Sequence, residues 1–145
     1  MTAEEGAAEA AWTLSDLSGL SLQDFDGQDW GDPEPDETYL VRTCTLLHRK
    51  PLGQFSDEDT RIMIGQQIGL ETLIPLALGM LGQQPLAAGD LYPGALLSAV
   101  AEAPGEYWTA HPEQRATVTA IIARIDPSDL GAADLAAALA RFQSA

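Results

Sequence analysis

The chain of 145 residues carries 22 acidic side chains against 7 basic ones, a net charge of −15, and 46% of it is apolar. This describes a globular chain long enough to bury a core without metal or disulfide staples, and it rules against direct binding of nucleic acid or anionic membranes, which needs clustered Lys and Arg. Its one cysteine, Cys44, cannot form an internal disulfide, which fits a reducing compartment.

The N-terminal stretch MTAEEGAAEAAW has neither a basic n-region nor an apolar h-region, so no signal peptide is expected. Residues 1–15 offer no usable apolar stripe and read as a mobile acidic tail. The remainder, 16–145, reads as a single helical domain. Ser21 and Asp24 are placed to open a short helix carrying Leu22 and Phe25. A turn-rich arm follows, GQDWGDPEPDE from Gly27 to Glu37, in which Trp30 is expected to pin the arm to the domain. Residues 1–37 hold eleven carboxylates and no base.

Spacing predicts a helix from about Glu37 to Arg49, capped by Asp36, burying Leu40, Cys44 and Leu47 and stopped by Pro51. Ser56 with Asp59 forms a capping-box pattern that opens a second helix through about Ile68, where Gly65 and Gly69 would permit close helix approach. A third, capped by Thr72 with Pro75 in its first turn, is apolar on every side from Leu73 to Leu81 and is expected at the centre of the fold. That run is far too short to cross a bilayer. Pro93 begins a fourth helix that ends at Pro104, and a turn then holds Tyr107 and Trp108. Val118, Ile121, Ile122 and Ile125 mark an amphipathic helix after Pro112, and Leu135, Leu139 and Phe142 mark a last one. No segment alternates with period two. The predicted fold is all-α: a single compact domain of about seven short helices around a buried central apolar helix.

The residues that could do chemistry are few. His48 and His111 are the only imidazoles, and each sits at a helix end, where a cap or surface role is the simpler reading. Cys44 lies on an apolar helix face and reads as a small buried hydrophobe. The chain has no HExxH, CxxC, P-loop or dinucleotide fingerprint. No catalytic residue, cofactor or metal site is therefore predicted. Asp57, Glu58 and Asp59 complement a helix N-terminus, and Arg61 is placed to bridge back to them. Asp90 reads as a cap before Pro93, and Tyr92 as a packing residue with a wet hydroxyl.

Three runs in fixed order carry a resemblance: RIMIGQQIGL from Arg61 to Leu70, LIPLALGML from Leu73 to Leu81, and PLAAGDLYPG from Pro85 to Gly94. Together with the arm they resemble, over Leu20 to Trp108, the small immunity proteins of bacterial contact-dependent growth inhibition (CDI) systems. Ala95 departs from the pattern, which often has an acidic residue there. The resemblance implies a cytoplasmic, non-enzymatic protein that blocks a toxin domain delivered by a neighbouring cell. A nuclease with a basic cleft would suit the charge, with no membrane or nucleic-acid partner and a monomer when free. Trp30, Asp57, Glu58, Glu71, Asp90 and Tyr92 are the expected toxin-binding residues. A generic acidic helical interaction module with no toxin partner explains composition and helices equally well, but leaves the three runs unexplained.

Overall fold

The computed structural model describes residues 19–88, 92–129 and 133–144. The expected tail of residues 1–15 and the expected cap Asp90 lie outside the described residues. Among those described there are eight α-helices, two 3₁₀ turns and no strand. The chain divides into two compact units, one ending at Phe55 and the other beginning at Ser56.

The first unit contains α1 (Leu22–Asp26) and α2 (Tyr39–His48), followed by a 3₁₀ turn over Leu52–Gln54. Ser21 and Asp24 form a reciprocal capping box on α1, and Gly27 stops it in the left-handed region with φ 70°. α2 starts two residues later than predicted because Thr38, not Asp36, caps it by accepting the Val41 N–H. Cys44 and Leu47 are buried as the spacing predicts, whereas Leu40 is 38% exposed.

The second unit contains α3 (Asp57–Gly65), α4 (Leu70–Gln83), α5 (Ala95–Ala101), α6 (Gly105–Ala110), α7 (Pro112–Ala123) and α8 (Ala133–Ser144). α4 packs on α3, α5 and α7; α5 packs on α3, α4 and α8. α4 buries Leu73, Ile74, Leu76, Ala77 and Leu81, and it shares the centre of this unit with α5, where every residue except Ala99 is buried. The small side chains of α5 let three helices close around it.

Several boundaries differ from the sequence reading. α3 ends at Gly65 rather than near Ile68, because Gln67 takes the left-handed conformation (φ 58°). The Gln67 N–H bonds the Ile64 carbonyl at 2.8 Å and the Ile68 N–H bonds the Met63 carbonyl at 2.9 Å, the paired bonds of a Schellman stop. No helix closes on Gly65, which has open space where a Cβ would stand. α4 begins at Leu70 behind Gly69, not behind Thr72, so Pro75 lies inside the helix rather than in its first turn. It is tolerated on an exposed side. α5 starts behind Gly94, not at Pro93, and the supposed turn at Tyr107 and Trp108 is α6, opened by Pro104. Leu135, Leu139 and Phe142 of α8 are buried as expected.

Candidate functional site

In the first unit the end of α1 and the arm are fastened to the end of α2 by three contacts. His48, 1% exposed, places its Nε2 2.7 Å from Asp26 Oδ2, so Nε2–H donates to the carboxylate. The Trp30 indole stacks on the same imidazole with ring centroids 3.7 Å apart and planes 1° from parallel. Arg49 Nη1 reaches Asp32 Oδ1 at 2.9 Å. The hydrogen bond from His48, and then that from the Gln28 N–H, hold the Asp26 carboxyl below its ordinary value. Trp30 therefore anchors the arm as predicted, while the surface reading of His48 is corrected: it is the buried post to which the arm is tied. Helix periodicity hides this, since Asp26 lies 22 residues away in sequence.

In the second unit, Ser56 and Asp59 make the predicted capping box on α3. Glu58 is not left available: it takes Arg61 in a two-point ion pair, Nε to Oε1 at 2.8 Å and Nη2 to Oε2 at 2.5 Å. Asp57 and Glu58 flank a shallow depression with Gln84 and Leu86. Glu71, with its side chain 75% exposed, places Oε2 3.1 Å from His111 Nε2. His111 makes no side-chain cap to α7; its ring stacks on Tyr107 instead, with centroids 4.3 Å apart. Burial, then the Glu71 and Glu113 carboxylates, push the Tyr107 phenol up to about 12.

Tyr92 borders a cleft of about 390 Å³ with Arg61, Gln67, Ser98 and Glu102. Glu71 borders a second depression with Gln67, Leu70, Glu106 and Tyr107. Gln67 is common to both, and neither Gln66 nor Gln67 is buried against the core. Of the six predicted site residues, then, Asp57 and Glu58 share one depression, Glu71 and Tyr92 line two that meet at Gln67, Trp30 belongs to the first unit, and Asp90 is outside the described residues. Among the described residues no group of three or more His, Cys, Asp or Glu side chains is arranged to hold a metal ion. No described helix is long and apolar enough to cross a membrane.

A sequence profile described as "CDI immunity proteins" matches residues 24–118, which is well over half of the chain. The chain belongs to the CDI immunity proteins. The match spans the arm, α2 and the packed helices α3 to α6, and it ends within α7, so α8 lies beyond the family segment. A comparison with curated proteins gave no match. The family assignment agrees with the resemblance read from the three sequence runs, all of which fall inside the matched residues.

Proposed function

We propose that this chain is a cytoplasmic immunity protein that binds a cognate CDI toxin domain and neutralises it by non-covalent occlusion. The observation that carries the reading is the family match over residues 24–118. The toxin is inferred to be a nuclease, because a net charge of −15 complements a cleft built to hold phosphates and would steer association with it. Residues 16–145 act as one immunity domain, monomeric when free, behind an acidic N-terminal segment. Asp57, Glu58, Glu71 and Asp90 contribute mainly through their acidic field, with Trp30 or Tyr92 as a contact residue. Among the described residues, Glu71 is the most exposed carboxylate in these ion pairs on the second unit, while the charge of Glu58 is held by Arg61.

This reading expects a large secreted protein ending in a toxin domain to be encoded immediately upstream, and the test is titration of this protein into the purified C-terminal domain of that protein. A one-to-one complex that abolishes nucleic-acid cleavage is expected. Cleavage undiminished by an equimolar amount of folded protein would contradict the proposal.

A further inference from the structure

Among the described residues, the large hydrophobic side chains left exposed are Phe25, Trp30, Tyr39, Leu40, Val41 and Leu46, and all six lie in the unit that ends at Phe55. Scattered exposed hydrophobics are ordinary, but confinement to one short segment is not. α2 shows how they arise. Cys44, Leu47 and His48 are buried. Tyr39, Arg42 and Leu46 recur at i, i+3 and i+7 on a different face, and all three are exposed, Tyr39 at 72% and Leu46 at 48%. A helix with one face in a core usually carries polar residues on the other; α2 carries a tyrosine and a leucine there on either side of Arg42.

The segment that carries these rings is also acidic: Trp30 follows Asp29, and Tyr39 comes two residues after Glu37 and three after Asp36. An acidic surround favours a partner that presents guanidinium or ammonium groups, which also stack on exposed rings. The charge also argues against a second copy of this chain as the occupant, since it would bring the same acidic arm against itself, and like charges brought together across an interface oppose that.

We infer that this face, centred on Tyr39, Leu46 and Trp30, is the docking surface for the toxin domain, and that it receives an apolar patch bordered by arginine and lysine side chains. The inference rests on the proposed function and adds where on the chain the toxin sits. Apolar anchors inside a charged rim are the usual anatomy of such contacts, and a few aromatic residues carry most of the affinity.

The experiment uses the full chain and, as probe, a catalytically silenced C-terminal domain of the upstream-encoded protein, with affinity measured by calorimetry. Binding by the wild type establishes the partner; no binding would sink the proposed function itself, and this inference with it. Given wild-type binding, Tyr39→Ala with Leu46→Ala should weaken affinity by about thirty-fold or more, the scale of losing hot-spot contacts. The melting temperature should stay unchanged. Tyr39→Arg, which places a cation among the cations of the partner, should also slow association. Affinity within about three-fold of wild type in both folded variants would overturn the assignment. So would a wild-type dimer that the double variant dissolves, since the face would then pair with its own copy. A large fall in melting temperature would overturn it too, by making the face part of the chain's own packing.

Discussion

Gly94 and Leu135 share a space with no room for one more carbon: a Cβ on Gly94 would run into Leu135 Cδ2, and Leu135 is 0% exposed. Gly94 also holds φ at 89°, where L residues are strained, as it opens α5. Gly94→Ala should therefore destabilise the protein by about 2–4 kcal/mol, combining left-handed strain with overpacking. Urea unfolding measures it. Leu135→Ala should relieve part of this cost, so the double variant should lose less than the two single losses added together. Full additivity would mean that strain, not the contact, dominates.

Gln67 occupies the left-handed stop of α3, a place usually taken by glycine. It is exposed, and its backbone N–H rather than its side chain closes the helix. Gln67→Gly should raise stability by about 0.5–1 kcal/mol, the left-handed strain relieved less the extra freedom of glycine when unfolded. A loss of stability on denaturant unfolding would show that the side chain holds the turn in place.

Asp26 supplies a pH signature of the clamp. Its carboxyl is held below the ordinary 3.8 by the His48 and Gln28 hydrogen bonds. A carboxylate depressed in the folded state contributes fully above its unfolded value, and the contribution drains away as pH falls through the folded one. The stability gap between wild type and Asp26→Asn should accordingly narrow as pH falls below the ordinary 3.8. Unfolding curves over that range, followed by tryptophan fluorescence, test it. A gap that widens in acid would contradict the clamp.

Tyr107 should act at the alkaline end. Its hydroxyl donates to Gln114 Oε1 at 2.6 Å, with the Leu70 carbonyl 3.4 Å away. The folded phenol keeps its proton to about 12 against an ordinary 10.0. A raised acid stabilises fully below the unfolded value, and that stability is lost as pH rises towards the folded one. Wild type should weaken between pH 10 and 12 by a slope that Tyr107→Phe lacks. At neutral pH the variant should cost about 1 kcal/mol for the lost hydrogen bond. Identical alkaline profiles would mean that the phenol is not shielded as the structure places it.

Much of the fold was legible because its signals are local. The capping boxes at Ser21 and Ser56, and the apolar spacing of Leu135, Leu139 and Phe142, are complete within one turn or one helix. The sequence misled where a backbone conformation overrode a side-chain signal. Gly69 and Gly94 set the starts of α4 and α5 ahead of Thr72 and behind Pro93, and Gln67 ended α3 early. Of the family runs, LIPLALGML lies mostly in the core and RIMIGQQIGL buries Ile62, Met63 and Ile64, and these apolar positions identify the fold better than the binding face. His48 shows the remaining limit. Its burial depends on Trp30 and Asp26, joined to it only by tertiary structure, and a lone histidine at a helix end carries no mark of them.

The central claim is that this chain protects a cell from a toxin domain. Co-expression with the C-terminal domain of the upstream-encoded secreted protein, in a strain that this domain alone arrests, tests that most directly. The account predicts full recovery of growth with this protein, and loss of that recovery when Tyr39 and Leu46 are both replaced by alanine. Continued arrest, with both wild-type proteins soluble and this one folded, would contradict it.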